Sequence, residues 1–142
     1  MPLKKVLIVD GQGGRIGRQL AELLLPHNGI SLELTLVGTN SAATANMIKS
    51  GITRAATGEN AVVVNARRAD VIAGPVGIVI ADALLGEVTP ASSLAVCQST
   101  AVKVLIPVSR CDNIVVGAGN TPLSALISEA AAEIMKLCEE IK

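Results

Sequence analysis

Asp10-Gly11-Gln12-Gly13-Gly14-Arg15-Ile16-Gly17 is the most chemically suggestive run in the chain. Gly11, Gly14 and Gly17 fit a GxxGxxG spacing, while Gly11, Gly13 and Gly17 fit the widened GxGxxxG. Either spacing suits an anion. The first glycine permits a tight turn, the middle ones let the backbone approach a phosphate, and the last lets a helix lie against a strand. Backbone N–H groups and the positive end of a helix starting here would face that anion. Arg15 and Arg18 add positive charge where the helix itself prefers acids, and an anionic ligand would relieve this. The candidate cofactor-binding residues of the loop are Gly11, Gln12, Gly13, Gly14, Arg15, Ile16 and Gly17. The plain alternative is a glycine turn that only packs tightly.

Arg110-Cys111-Asp112 is the other loaded run. Arg110 suits a bidentate clamp on a carboxylate or phosphate, and Cys111 beside it suits a thiol of lowered pKa. A nucleophilic cysteine needs a base, and the single histidine, His27, sits in Pro26-His27-Asn28-Gly29 at the far end of the predicted first helix. There a structural role, complementing the helix dipole, fits better than a dyad or triad. Asp82 interrupts the apolar run Ile78–Ala81 and is expected to be buried with Arg54, Arg67 or Arg68, or else to act as a general base. Asp10 is expected to organise the loop or to approach substrate. Asp10, Asp82, Arg110 and Cys111 are thus the candidates for catalysis. No His, Cys, Asp or Glu spacing suits a metal.

These residues need elements to hold them. Val6-Leu7-Ile8-Val9 is an unbroken apolar run of the kind buried on both faces of a parallel sheet. Ile16, Leu20, Leu23 and Leu24 follow at helical spacing, and Leu32–Val37 makes a second strand, so the first 38 residues read as one βαβ unit. Further along, helices are predicted over Ser41–Ser50, Ala61–Arg68, Pro75 to about Leu85, Ala91–Ser99 (opened by Thr89-Pro90) and Leu123 to the C-terminus. Short strands are predicted at Thr53–Ala56, Val71–Ala73, Val102–Ile106 and Asn113–Val116. The alternation gives a three-layer α/β fold with a mostly parallel sheet. Ligands in such sheets sit outside the carboxyl ends of the strands. Gly38-Thr39-Asn40-Ser41, Gly74-Pro75-Val76-Gly77 and Pro107–Asp112 should therefore converge on the glycine loop. Thr39, Asn40 and Ser41 suit a ribose or a neutral sugar, unless Asn40 or Ser41 only caps the next helix. Gly74 and Gly77 suit a second phosphate or a nicotinamide, unless they only turn the chain.

Composition narrows the classes. The chain has 142 residues, 50% of them hydrophobic, with mean hydropathy +0.55, which supplies a core and excludes disorder. It contains no Phe, Tyr or Trp, which argues against aromatic base-stacking platforms. Twelve basic residues balance twelve acidic ones, so phosphate-backbone binding to nucleic acid is not expected. No apolar run reaches the roughly 18–20 residues of a membrane span, and the N-terminus is too short in apolar residues for a signal segment. Cys97, Cys111 and Cys138 are scattered, odd in number and without a CxxC pair, which predicts reduced thiols and a cytoplasmic location.

Val9–Leu20 resembles the nucleotide loop of dihydrodipicolinate reductases, whose pattern is close to GxGGRMGRxL. The resemblance covers only this N-terminal segment and implies a nicotinamide dinucleotide with its pyrophosphate at Gly14–Gly17. The chain departs from that family in being neutral over Gly38–Ser41, where the family carries an acid for ribose hydroxyls or a base for a 2′-phosphate. The family's His-rich catalytic motif and substrate domain have no counterpart, so reductase activity is not implied. Over its whole length the chain resembles a family of small prokaryotic proteins of unknown function. The matching segments are Asp10–Gly14, Gly38–Thr44, Thr57–Ala61 and Asp82-Ala83-Leu84-Leu85-Gly86-Glu87. That resemblance implies a Rossmann-like fold and no particular activity.

The expected function is binding of NAD or NADP, or a related phosphate-containing ligand, at Gly11–Gly17. If a reaction follows, hydride transfer is the chemistry such a cofactor supplies. The alternatives are a nucleotide-sensing regulatory module without catalysis and a binder of another phosphorylated metabolite. A homodimer is expected, with Val76–Leu85 or the apolar face of Leu123–Leu137 covering a twin.

Overall fold

The computed structural model describes residues 2–108 and 113–140. Its strands are β1 (Lys4–Asp10), β2 (Leu32–Gly38), β3 (Ala55–Thr57), β4 (Val71–Pro75) and β5 (Val102–Ile106). The helices are α1 (Arg15–Leu24), α2 (Ser41–Ile48), α3 (Glu59–Arg68), α4 (Pro90–Gln98) and α5 (Leu123–Glu140). The strands form one all-parallel sheet in the order β3-β2-β1-β4-β5.

The continuous apolar run of β1 explains its central place. Side chains alternate across a strand, so Val6 and Ile8 enter one layer while Leu7 and Val9 enter the other. In the first layer they meet Leu20 and Leu24 of α1, Met47 of α2, and Ile127 and Ile134 of α5. In the second they meet Val62 and Ala66 of α3 and Val96 of α4. The three-layer α/β, Rossmann-like architecture read from the sequence is therefore present.

From β1 the chain winds outward through β2 and β3, then crosses to β4 on the other side. The strand order reverses between β1 and β4, and a crevice opens beyond their carboxyl ends.

Two predicted elements are corrected. Pro75 to Leu85 is not a helix. Pro75 closes β4, Val76–Val79 makes one 3₁₀ turn, and the chain then takes left-handed backbone at Asp82, Leu84, Leu85 and Gly86. β-branched Val76, Ile78, Val79 and Ile80 with Gly77 are weak helix formers, and left-handed residues cannot continue a right-handed helix. The Asn113–Val116 strand is also absent. Among the described residues this stretch is irregular, and no sixth strand joins the sheet. Ile114 and Val116 stand exposed, without a neighbouring strand to accept their backbone.

Candidate functional site

The crevice between β1 and β4 is a cleft with one polar and one apolar wall. Gly11 to Ile16 and Gln19 form the polar wall, with Asp10 at its floor. Pro75, Val76, Gly77, Ile80, Ala83 and Leu84 form the facing wall, and Val108, Asn113 and Leu123 close the end. The Gly11–Ile16 loop and the Pro75–Gly77 turn, expected to converge, do so.

Hydrogen bonds fix the loop. Asp10, 4% exposed, accepts from the Gly11 N–H through Oδ1 at 2.8 Å and from the Gly17 N–H through Oδ2 at 2.7 Å. It thereby caps α1, whose N-cap, Gly14, has no side chain to do so. Burial pushes the Asp10 carboxyl above its ordinary value, the Gly17, Gly11 and Ile16 N–H groups oppose the shift, and the nearby charge of Glu87 adds to it. With both oxygens engaged, Asp10 organises the loop, the first of its two expected roles.

On the α2 side, Asn40 Nδ2 donates to the Gln12 carbonyl and Asn46 Nδ2 to the Gly13 carbonyl, each at 2.9 Å. Because N–H and C=O of one planar peptide point in opposite directions, the Gly13 N–H is turned away from Asn40. Among the described residues, the Gly13 and Arg15 N–H groups have no protein acceptor, and both residues line the cleft. Arg15 is exposed and unpaired among the described residues, whereas Arg18 is held by Glu22 at 3.3 Å and Asn46 at 2.9 Å.

The glycines divide by what surrounds them. A Cβ on Gly14 would strike the Ala43 carbonyl, and one on Gly17 would strike Met47 Sδ, so these two serve close packing on α2. A Cβ on Gly11 would meet Thr39 Oγ1 at 2.5 Å, Leu84 Cδ1 at 2.8 Å and Glu87 Oε1 at 3.0 Å. Among the described residues Gly13 alone of the four has room for a Cβ, whose nearest neighbour would be Arg15 Cγ at 3.9 Å.

Glu87 ends one of the segments that carry the family resemblance, but no site role was read for it from the sequence. Its Oε1 accepts from the Gln12 N–H at 2.8 Å, Thr39 Oγ1 at 2.8 Å and Asn40 Nδ2 at 2.6 Å. Burial pushes the Glu87 carboxyl up, but its three donors outweigh this and hold it below the ordinary value. The segment Gly38–Ser41 is neutral, yet an acid reaches it from the loop after β4. Sequence distance hides such a residue; only the left-handed turn before it, with Gly86, hints that the chain doubles back there.

The remaining candidates are placed as follows. Asn40 caps α2 by accepting from the Ala43 N–H at 2.8 Å, and Ser41 is the exposed first residue of that helix. Gly38 packs against Thr44, and Gly74 against the Val9 carbonyl. Gly77 lines the cleft; Gly38, Thr39, Asn40, Ser41 and Gly74 do not. Asp82, expected to be buried, is exposed at a left-handed turn, with no arginine partner among the described residues. The turn that replaces the predicted helix swings it out to solvent. Arg110 and Cys111 lie outside the described residues. His27 ends the 3₁₀ turn after α1, at the end opposite the glycine loop. No group of three metal-ligating side chains occurs among the described residues, and no helix there is long and apolar enough to cross a membrane.

No match to the chain was found among curated proteins or among solved structures. Residues 5–139 match a family described as a domain of unknown function, DUF3842, and the chain belongs to that family.

Proposed function

We propose that the chain binds a phosphate-containing small molecule, its phosphate on the Gly13–Ile16 opening of α1 and its body in the cleft. The observation that carries this reading is Gly13. Among the described residues it is the one loop glycine whose open face no packing contact explains, and there its own N–H, the Arg15 N–H and the Arg15 guanidinium have no protein partner. Amides at a helix N-terminus and a guanidinium are the groups that recognise a phosphate. NAD and NADP, in oxidised or reduced form, are the ligands the loop sequence suggests.

The cleft favours binding or sensing over chemistry. Asp10 is the one carboxylate among its described lining residues, and both Asp10 oxygens are committed to the loop. Were hydride transfer to occur, the protein's part would be to hold and orient the two reactants.

Calorimetric titration with NAD⁺, NADH, NADP⁺, NADPH and inorganic phosphate tests the proposal. Binding by at least one, lost in a folded Gly13→Asp variant, supports it. No heat from any of the five, with circular dichroism reporting folded protein, rejects it.

A further inference from the structure

We infer that Ile80–Val88 is an internal strap filling the β1/β2 half of the crevice, which leaves room for a compact phosphate monoester and not for a dinucleotide. This rests on the phosphate-binding reading above and narrows its ligand class.

A dinucleotide lies across the crevice of such a sheet, with one nucleoside over the glycine turn beside the end of β2. In this chain that place is taken. The three donors there, the Gln12 N–H, Thr39 Oγ1 and Asn40 Nδ2, all converge on Glu87 Oε1. Leu84 covers the same face of Gly11 and is 9% exposed. Leu84 is also where the cleft stops: it lines the cavity, while Thr39, Asn40 and Glu87 lie beyond it. An acid at the end of β2 is the group that accepts ribose hydroxyls, but Glu87 Oε1 is already engaged by these three donors, and Leu84 stands between it and the cleft.

The strap is built to hold this position. Asp82 N–H donates to the Val88 carbonyl at 2.7 Å, and Val88 N–H to the Ala83 carbonyl at 3.1 Å. Ala83, Leu84 and Val88 form a small core of their own against Ile80. Asp82, Leu84 and Leu85 all adopt left-handed backbone, with φ of 67°, 57° and 56°. Non-glycine residues persist there only when surrounding contacts over-determine them, and such strain concentrates at ligand clamps and functional loops. What remains of the crevice joins the Gly13 and Arg15 amides to an apolar wall of Val76, Ile80 and Leu84, which suits one phosphate carried by one small body.

The test is calorimetric titration of the full chain with inorganic phosphate, ribose 5-phosphate and nicotinamide mononucleotide, against the dinucleotides NADH and NAD⁺. It is repeated on Leu84→Ala/Glu87→Gln, with folding checked by circular dichroism. At least one monophosphate should bind about tenfold more tightly than either dinucleotide, and the double variant should lose most of that preference. A dinucleotide that binds wild type as tightly as the monophosphates overturns the inference, as does an unchanged preference in the folded double variant. Silence from all five ligands overturns the ligand class together with the phosphate reading. Amide exchange then still judges the strap: faster exchange at Gln12 in Glu87→Gln supports the closure, and unchanged exchange dismisses it.

Discussion

Asn40 Nδ2 lies 2.6 Å from Glu87 Oε1, so a contact across 47 residues of sequence ties the end of β2 to the loop after β4. The same oxygen holds the Gln12 N–H and Thr39 Oγ1. Glu87→Ala strands three donors at once and should cost about 1–3 kcal/mol, the range for partly buried groups left unsatisfied. Glu87→Gln keeps one carbonyl acceptor but removes the charge, and should cost about 1 kcal/mol. Urea unfolding followed by circular dichroism reads both, since the chain has no Trp or Tyr to report by fluorescence. Equal, negligible losses would mean that the strap is not held by this carboxylate.

Acid should weaken the same contact. The folded-state pKa of Glu87 lies below its ordinary value of 4.5, because the donors outweigh burial. Its contribution is therefore fully present above pH 4.5 and is lost as pH falls through the folded value. Asp10 has the opposite sign. Burial raises its folded pKa above 3.8, so its ionisation costs stability as pH rises through that window. Below pH 4.5 the urea midpoint of wild type should fall more steeply than that of Glu87→Gln. Parallel curves would assign the acid sensitivity to other groups.

How much of this was legible in the sequence depends on the range of the interactions. Local patterns sufficed for β1, α1 and β2, because the Val6–Val9 run and the Leu20/Leu24 spacing are periodicities between near neighbours. Thr89 before Pro90 marked α4 for the same reason, and its side chain does cap the Ser92 N–H at 3.1 Å. The Pro75–Leu85 segment misled. Its apolar content is real, but Ile78 is spent on the α3/α4 layer while Leu84 is spent on the glycine loop, and one straight helix could not serve both. Glu87 was illegible because its partners lie at positions 12, 39 and 40. The glycine spacing was legible, but the division of labour within it was not, since that depends on Ala43, Met47 and Leu84 arriving from elsewhere.

That division predicts unequal effects of adding one methyl group. Gly14 has φ +70° and abuts the Ala43 carbonyl, so Gly14→Ala should cost more than the roughly 1–2 kcal/mol of a left-handed alanine alone. Gly13→Ala meets open space and should leave stability within about 0.5 kcal/mol of wild type. Phosphate affinity should nevertheless fall in Gly13→Ala, because the methyl group enters the cleft. Comparing urea midpoints with phosphate titrations of the two variants checks both halves. If Gly13→Ala binds phosphate as wild type does, the ligand does not approach that face.

Arg15 allows the sharpest separation of binding from folding, because the two respond to it with opposite signs. It is the first residue of α1, where a cation opposes the helix dipole, and it is exposed and without an ion pair among the described residues. Arg15→Ala should therefore leave stability unchanged or raise it by about 0.3–1 kcal/mol, an effect that salt would shrink. If its guanidinium meets the ligand phosphate, the same variant should bind inorganic phosphate about tenfold more weakly, the scale of one charge-assisted contact. Arg18 is the control. Three residues along the helix, it is occupied by Glu22 and Asn46 and does not line the cleft, so Arg18→Ala should retain wild-type phosphate affinity. A weaker Arg15→Ala that is at least as stable as wild type, beside an unaffected Arg18→Ala, places the anion at the start of α1. Equal weakening in both variants would instead point to a diffuse attraction by positive charge.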